Sequence, residues 1–349
     1  MAHQHPLVSV IMINRNGGAL LSRALYTCRL AIEQALAIEP GLELIVVDND
    51  STDEPMPVIN HELATAAFKW RVVPESRLGV NFARNAGLTA ATGEVIVFVD
   101  SDLEFDTGWM TALVTAIRAY PHARVFAGRV RVGKLESTPP DWLPVSGPLV
   151  RGSIVVNCDY GDEIVERRID DGNGPVGPNM GFRRDIFEEF GAFDTRFGLR
   201  PGSLVPGAES EYFDRLGRAG QTFLYVPGAV VDHPLRTSQM TRAYFSKRLR
   251  GTGRATSRLR RLRGERPKQL FGLTLYMVRQ LLAASKRWVV SCARMDDAAE
   301  RFHARGDVDI ALGYLQEDFA AWLARVTTRD TRGSGRGTHN HHDRPASAQ

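Results

Sequence analysis

The chain has 349 residues and a formal net charge of +4, with 43% hydrophobic and 24% charged residues. This composition is typical of a globular protein, and the mild basic excess favours anionic partners such as phosphates, acidic lipids or nucleic acid. Three widely separated cysteines argue against a disulfide framework and for reduced thiols in a cytoplasmic protein. Residues 1–6 do not resemble a signal peptide, and no apolar run is long enough to predict a membrane-spanning helix.

The N-terminal part of the chain alternates between apolar segments with the patterns of strands and of helices. Leu7–Ile13, Leu42–Val47 and Val95–Val99 are nearly continuous apolar runs, which is typical of parallel strands covered on both faces. Ala19–Ile38 and Phe82–Ala91 have the apolar spacing of helices. This alternation predicts an α/β fold, with a doubly wound, mostly parallel sheet and helices on both faces.

The later part of the chain is less regular. Residues 129–178 are rich in Gly, Pro and polar residues, which predicts loops and irregular strands over the sheet edge. A helix is predicted over residues 307–326, and a disordered tail with few apolar residues is predicted over 327–349. The predicted organisation is a sheet domain over residues 6–240, a basic helical extension over 241–326, and the tail.

The extension begins with a strongly basic stretch, residues 242–268, whose only acid is Glu265. The apolar pattern of residues 269–294 predicts a long apolar helix with a basic stripe on about one third of its circumference. The stripe consists of Lys268, Arg279, Lys286, Arg287 and Arg294. Such a helix suits peripheral contact with anionic lipid, but packing in a core or at a homo-oligomer interface is equally compatible. Nucleic acid is not expected, because no aromatic residues alternate with the arginines.

Each of the three predicted strands ends in polar residues. Asn14 follows the first strand, Asp48-Asn49-Asp50 the second and Asp100-Ser101-Asp102 the third. The carboxyl ends of parallel strands meet at one edge of a sheet, which is where such sheets bind their ligands. The three clusters are therefore predicted to gather in one binding site.

Asp100-Ser101-Asp102 has the pattern of a cation site. Alternate residues of a strand share a face, so two carboxylates at this spacing can point toward the same ligand. Carboxylate oxygens are suitable ligands for Mg²⁺ or Mn²⁺, and such a cation neutralises charge on a diphosphate. A solvated loop is the alternative interpretation, because acidic residues are common at strand ends.

Several further motifs follow one another along the chain. Besides the strand-end clusters, they include Gly79–Gly87 ahead of the third strand and four later segments. These are Gly177–Arg184, Gly191–Asp194, Gly207–Tyr212 and Tyr225–His233. In this order the motifs resemble those of family 2 glycosyltransferases of the GT-A fold. The resemblance extends from Pro6 to His233 and implies an inverting enzyme that uses a nucleotide sugar and a divalent cation, Mn²⁺ or Mg²⁺.

The resemblance also implies roles for individual residues. Asp102 and His233 are expected to hold the cation, and Asp100 to contact the ribose or a cation-bound water. The expected nucleotide-sugar contacts are Asn14, Asp48, Asp50, Arg84, Asn85, Asp100, Ser101 and Asp102. The family usually has Asp-Asp-Gly where this chain has Asp48-Asn49-Asp50, so the role of Asp50 is open.

Structural alternatives exist for some of these residues. Asp48 is also compatible with an Asx turn or a helix cap, Arg84 with a surface charge, and Asn85 with packing. Asp232 precedes His233 and is expected to orient the imidazole ring as a hydrogen-bond acceptor.

Glu209 is the candidate general base, because direct displacement at an anomeric carbon needs a carboxylate that takes the proton of the acceptor hydroxyl. The family usually has Glu-Asp at this position, whereas this chain has Ala208-Glu209 and lacks the first acid. Glu211 is the fallback. The structural alternative is that Glu209 only caps the following helix at its positive N-terminal end.

The leading hypothesis is an inverting glycosyltransferase that moves a sugar from a nucleoside-diphosphate sugar to a hydroxyl of a glycan or a lipid-linked acceptor, as in polysaccharide biosynthesis. It is expected in the cytoplasm or on the inner face of the membrane. A nucleotidyltransferase is the second hypothesis, although Asn14–Gly18 has only part of the Gly-rich basic loop that it needs. A non-enzymatic basic module that binds membrane or nucleic acid is the third.

Overall fold

The structure is a computed structural model, and it describes residues 7–133, 135–147, 149–150, 155–170, 174–200 and 205–333. The strands in these residues are β1 (Val8–Asn14), β2 (Leu42–Asp48), β3 (Lys69–Pro74), β4 (Val95–Asp100), β5 (Glu104–Phe105), β6 (Val125–Val132), β7 (Val165–Arg168), β8 (Asn179–Arg183), β9 (Thr222–His233), β10 (Gln269–Leu270) and β11 (Leu273–Thr274). The helices are α1 (Gly18–Ala35), α2 (Met56–Leu63), α3 (Val80–Ala90), α4 (Trp109–Ala119), α5 (Asp185–Phe190), α6 (Ser210–Arg218), α7 (Arg242–Leu262), α8 (Leu275–Ala293) and α9 (Ala298–Gly333), with a 3₁₀ helix at Thr237–Gln239.

In the described part of the chain, nine strands form one mixed sheet in the order β3-β2-β1-β4-β8-β6-β9-β5, and β7 also pairs with β9. β3, β2, β1 and β4 are parallel to one another, and β6 is parallel to β9, whereas β8, β5 and β7 run in the opposite direction. The predicted strands are confirmed as β1, β2 and β4, and the predicted helices as α1 and α3. The α/β fold class with a helical C-terminal extension is therefore confirmed.

The sheet has a core on each face, which explains the continuous apolar runs of its central strands. Val10 and Met12 of β1 enter a core that contains residues of α1, α2 and α4, while Ile11 enters a second core with α3, α5 and α6. Successive strand residues point to opposite faces, so both faces of β1 must be apolar. Each fully buried aliphatic side chain contributes about 1.5–3 kcal/mol.

The registers of the parallel strands bring their polar ends together. Asn14 of β1 pairs with Asp48 of β2, and the neighbouring Ile13 pairs with Asp100 of β4. The Ser101 amide also donates to the Ile13 carbonyl at 3.2 Å. The predicted convergence of the three clusters on one edge of the sheet follows directly from these registers.

The helical extension differs from the sequence prediction at two places. Residues 269–274, predicted as the start of a helix, form the hairpin β10–β11, because the turn residues Phe271 and Gly272 both have positive φ and end any helix there. The last helix is longer than predicted and reaches Gly333, so residues 327–333 are helical rather than part of a tail. The rest of the predicted tail lies outside the described residues.

The basic stretch forms α7, and several of its arginines pair with acids of α9. Arg254 and Arg258 lie 3.0 and 2.8 Å from Glu317, and Arg250 lies 2.9 Å from Asp309. These acids are nearly buried, so their negative charge must be compensated by positive groups in direct contact with them. The arginines on this face of α7 therefore hold α7 against α9 through ion pairs. Among the described residues, no helix is long and apolar enough to cross a membrane.

Two glycines allow α7 and α9 to cross in close contact. A Cβ at Gly253 would lie 1.9 Å from the Ile310 carbonyl oxygen, and one at Gly313 would lie 2.0 Å from the Arg250 carbonyl oxygen. Both obstructions are backbone atoms, which cannot move without separating the helices.

Replacing Gly253 with alanine is therefore expected to lower the free energy of unfolding by about 1–3 kcal/mol, the usual cost of overpacking a tight contact. Urea denaturation followed by circular dichroism measures this change. Gly108→Ala is the control, because its Cβ would meet only the Asp106 carboxylate at 3.3 Å. Equal stabilities of the two variants would contradict the close helix crossing.

Candidate functional site

Two carboxylates and one imidazole meet at the carboxyl edge of the sheet. Asp100, Asp102 and His233 each offer a ligand atom, and these atoms all lie within 4.8 Å of one another. The His233 Nε2 atom is 3.9 Å from Asp102 Oδ1. Asp100 ends β4 and His233 ends β9, so the predicted pair of Asp102 and His233 is brought together, and Asp100 joins it.

The His233 ring is oriented by the backbone. Its Nδ1 atom lies 3.1 Å from the Pro234 carbonyl oxygen, which can only accept a hydrogen bond. A neutral imidazole that donates from Nδ1 has its lone pair on Nε2, which is the nitrogen that faces Asp102. The prediction that Asp232 orients the ring is wrong, because Asp232 pairs with Arg131 at 2.8 Å.

The cluster concentrates negative charge. Desolvation raises the pKa of Asp100 to about 6, and the charges of Asp102 and Glu209 add to this effect, while Arg84 and His233 oppose it. A carboxyl group whose charged form is disfavoured by its surroundings gains from a bound cation. The electrostatics therefore fit a positively charged ligand.

The donor set also fits a divalent cation in its chemistry and spacing. Carboxylate oxygens suit Mg²⁺ and Mn²⁺, and an imidazole nitrogen is compatible with Mn²⁺. Two ligands at about 2.1 Å from one ion lie at most about 4.2 Å apart. The observed limit of 4.8 Å is close to that span, so small side-chain rotations would bring all three ligands to one ion.

Arg236 is a member of the site that sequence reasoning missed. Its Nη2 atom donates to Asp102 Oδ2 at 2.8 Å, and its buried Nε has no partner in the described part of the chain. A single arginine three residues after His233 belongs to no motif or periodic pattern. Its place in the site is visible only in the structure, where the turn after β9 brings it to Asp102. Arg236 occupies an oxygen that a cation would also use.

Arg84 and Glu209 stand beside the carboxylate cluster. Arg84 is only 3% exposed, and its Nη1 atom lies 3.6 Å from Glu209 Oε2 and 3.3 Å from Asn81 Oδ1. A Cβ at Gly177 would lie 2.7 Å from Arg84 Nη2 and 3.5 Å from Glu209 Oε1, so a glycine here leaves room for the pair. The interpretation of Arg84 as a surface charge is therefore wrong.

The structure distinguishes the two candidate bases. Glu209 is the N-cap residue just before helix α6, makes no side-chain cap hydrogen bond, and has a side chain that is 31% exposed. Glu211 is buried and held by Arg215, which donates to both of its carboxylate oxygens at 3.1 and 2.7 Å. Glu209 is accessible to a substrate hydroxyl, whereas Glu211 is engaged inside the protein.

Asn14 and Asp48 offer unused acceptors at the same edge. Asn14 Oδ1 and Asp48 Oδ1 are buried and have no hydrogen-bond partner among the described residues, and Ser101 lies near Asn14. Buried acceptors without partners are costly, so donors of a ligand are expected to reach them. Asp50 is exposed with φ of 56°, a conformation that suits the glycine usual in the family.

Asn85 is placed differently from the sequence prediction. Its amide donates to the Phe193 carbonyl at 2.8 Å and accepts from the Phe193 amide at 3.1 Å. Both ends of the side chain are thus used to hold the segment after α5. Asn49 acts in the same way, because it donates to the Glu75 and Arg77 carbonyls and accepts from the Gly79 amide. These asparagines fix the loops around the site and are not brought to the cluster.

A separate cleft of about 360 Å³ lies at the opposite end of β4, lined by residues 92–94 and 183–185. Its arginines are occupied, since Arg184 donates to the Gly93 carbonyl and Arg183 to the Ala123 carbonyl. Both guanidinium groups of this cleft are therefore already bound to backbone carbonyls.

The model of the family described as glycosyl transferase family 2 matches residues 9–191 of this chain. The matched region contains Asp48, Arg84, Asp100 and Asp102 of the candidate site, whereas Glu209, His233 and Arg236 lie beyond it. This chain belongs to glycosyl transferase family 2. The predicted resemblance is thereby confirmed.

Curated relatives of this family 2 chain include two prokaryotic proteins. The glucosyl-dolichyl phosphate glucuronosyltransferase of Haloferax volcanii is 26% identical over 212 residues, which cover 58% of this chain and 63% of the relative. The succinoglycan biosynthesis protein ExoM of Rhizobium meliloti is 25% identical over 230 residues, which cover 62% of this chain and 65% of the relative. The matches thus span just under two thirds of each relative.

Among solved structures, the mannosyltransferase of Pyrobaculum calidifontis, in complex with GDP-Man and Mn²⁺, aligns with 96% of this chain and 82% of its own. The sequence identity is 16% and the TM-score is 0.49.

In this family 2 chain, the Arg236–Asp102 ion pair is expected to compete with a cation. Arg236→Ala should bind Mn²⁺ up to about fivefold more tightly without nucleotide, because a partly exposed ion pair is worth up to about 1 kcal/mol. Titration calorimetry measures this affinity, and Asp102→Ala should abolish it. Arg118→Ala, at the opposite edge of the sheet, is the charge-matched control. Weaker Mn²⁺ binding by Arg236→Ala would contradict the competition.

Proposed function

We propose that this chain is an inverting glycosyltransferase that moves a sugar from a nucleoside-diphosphate sugar to a hydroxyl acceptor. The observation that carries the proposal is the placement of Glu209 and Arg84 next to the cluster of Asp100, Asp102 and His233. A cation site and an accessible carboxylate side by side supply what a direct displacement needs. Membership in family 2 favours this activity over a nucleotidyltransferase or a non-enzymatic binding module.

The carboxylates and His233 would hold a divalent cation, Mn²⁺ or Mg²⁺, which supplies neutralising charge for the departing diphosphate. Asp102 and His233 are its proposed ligands, and Asp100 either joins them or contacts the ribose. Arg84 is fixed by burial, and Arg236 can exchange its carboxylate partner for a phosphate oxygen. Both guanidinium groups would then bind and orient the diphosphate.

Asn14 and Asp48 are proposed to bind the nucleoside. Their unpaired oxygens can accept hydrogen bonds from a base or from ribose hydroxyls. Ser101 is proposed to contact the same nucleotide, since it is buried between Asp100 and Asp102. Asp50 is exposed on the adjoining turn and is left without a role in binding.

Glu209 is proposed as the general base. Its carboxylate would take the proton from the acceptor hydroxyl while the hydroxyl oxygen attacks the anomeric carbon. The bond from that carbon to the diphosphate oxygen breaks as the new glycosidic bond forms on the opposite face, so the configuration inverts. No second carboxylate is needed as a nucleophile, and Glu211 is proposed to have no such role, because it is buried in an ion pair with Arg215.

The acceptor is proposed to be a hydroxyl of a glycan or of a lipid-linked sugar. One relative is named as a glucuronosyltransferase that acts on glucosyl-dolichyl phosphate, which supports the lipid-linked alternative. A lipid-linked acceptor would require this chain to work at a membrane surface.

The activity is tested by screening nucleoside-diphosphate sugars for release of nucleoside diphosphate with added Mn²⁺ or Mg²⁺. At least one donor should be turned over, and chelation or Asp102→Ala should reduce turnover by about a hundredfold or more, because charge stabilisation is lost. Turnover that survives both treatments would refute the cation role. Absence of turnover with every donor and acceptor would refute the activity.

Glu209→Gln is expected to lower kcat by about 10²–10⁴-fold with little change in donor KM, because only proton transfer is lost. Glu211→Gln is the matched control, and it should mainly lower stability by releasing Arg215. Steady-state kinetics and thermal unfolding of both variants separate the two effects. Equal kcat losses would remove the assignment of Glu209 as the base.

A further inference from the structure

The helical extension has an exposed apolar surface that the transfer reaction does not use. It is formed by the hairpin β10–β11, the outer face of α8 and one stripe of α9, and we name it the C-terminal surface. Its most exposed members are Leu270 at 57%, Phe271 at 72%, Tyr276 at 58%, Leu282 at 67% and Val289 at 60%. Single exposed apolar residues are ordinary, but a contiguous group of this kind marks an interaction site.

Contacts within the extension show that these parts form one surface. Gly272 of the hairpin turn packs on Trp322 of α9, whose ring centroid lies 5.6 Å from that of Phe319 with the two rings tilted by 33°. Thr274, just before α8, donates to Asp318 of α9 at 2.5 Å. The hairpin tip, the start of α8 and the exposed Phe319 of α9 therefore lie side by side.

Phe271 is presented to solvent by the geometry of its turn. The hairpin pairs Leu270 with Leu273, so Phe271 and Gly272 are the two turn residues. Their φ values of 48° and 78° are those of a type I′ turn, which normally takes Asn-Gly. A large aromatic residue at this position has a steric cost and gains no packing in exchange, which is understandable if it is buried in a partner.

The charge of the C-terminal surface identifies the kind of partner. Residues 266–295 contain no Asp or Glu, but they contain Arg266, Lys268, Arg279, Lys286, Arg287 and Arg294. Arg287 is compensated by Asp307 at 3.1 Å, while Arg279 and Lys286 are exposed on the outer face of α8 among its apolar residues. A face that is apolar and basic without acids complements the acyl boundary and the anionic headgroups of a lipid bilayer.

We propose that the C-terminal surface binds anionic membranes peripherally, with Phe271 and Leu282 inserted at the headgroup level and Arg279 and Lys286 on the lipid phosphates. This extends the proposed function, because a chain held at a bilayer meets a lipid-linked acceptor there. Membrane binding itself requires neither donor nor acceptor, so it can hold even if the proposed transfer does not. A second copy of the chain would have to place this basic face against another basic face, which charge repulsion disfavours.

The test is flotation of the full chain with vesicles of phosphatidylcholine, with or without phosphatidylglycerol and without any substrate. The wild-type chain should float only with the anionic vesicles, and raised salt should weaken the binding. Phe271→Asp/Leu282→Asp and Arg279→Glu/Lys286→Glu should each weaken it by about tenfold or more, since each removes one of the two contributions. These positions are exposed, so folding measured by circular dichroism should be unchanged.

Met56→Asp/Lys69→Glu is the control, because it combines one change of each kind at exposed positions of the sheet domain, with a charge change between those of the two test variants. Wild-type binding that the control retains and the other variants lose would support the proposal. Binding that is absent, or that the control and the surface variants lose equally, would overturn it. A dimer in light scattering that Phe271→Asp/Leu282→Asp dissociates, without vesicle binding, would assign the surface to a second copy instead.

Discussion

The clustering of negative charge at one edge of the sheet is the constraint on which the rest of the site depends. The charges of Asp102 and Glu209 raise the pKa of Asp100, and burial of Asp100 raises it further. Such a cluster is stable only if positive groups surround it. The fold provides Arg84 from α3 and Arg236 from the turn after β9, and it brings ligand atoms of Asp100, Asp102 and His233 within 4.8 Å of one another. A cation and a diphosphate would thus replace one set of charge contacts with another, rather than enter an empty and neutral pocket.

Buried asparagines give these charged groups a rigid frame. Asn81 donates to the Asp194 and Ala208 carbonyls, which fixes the segment just before Glu209, and it also accepts from Arg84. Asn179 joins three elements, since it accepts from the Trp109 indole and donates to the Arg129 and Ala229 carbonyls. An amide can donate and accept at once, so it can satisfy loop backbone groups that have no strand or helix partner. These neutral contacts hold Arg84 and the segment before Glu209 in place, which is the precision that the proposed displacement would require.

The sheet and its strand-end carboxylates could be predicted from the sequence because both depend on local patterns, whereas His233 was assigned to them only through the family resemblance. Apolar runs give β1, β2 and β4, and the strand-end position of Asp100 and Asp102 follows from them. Arg236 could not be predicted, since its contact with Asp102 spans 134 residues and has no spacing rule. Asn85 shows a different limit, because a shared motif marks the position but does not tell whether the amide faces a ligand or the Phe193 backbone. The hairpin before α8 was missed because apolar periodicity cannot tell short strands from a helix.

The extension and the site are connected through helix α6, which carries Glu209 at its start. Asp214 of this helix pairs with Arg263, just after α7, at 2.6 Å, and a Cβ on Gly207 would already touch Ala255 of α7. The same α7 is joined to α9 by the glycine crossing and by the pairs of Glu317, and α9 supports the hairpin through Trp322. The C-terminal surface and the candidate base are therefore held by one chain of packed helices. Because close-packed protein interiors are hardly compressible, a membrane bound to the C-terminal surface would keep a defined orientation relative to Glu209.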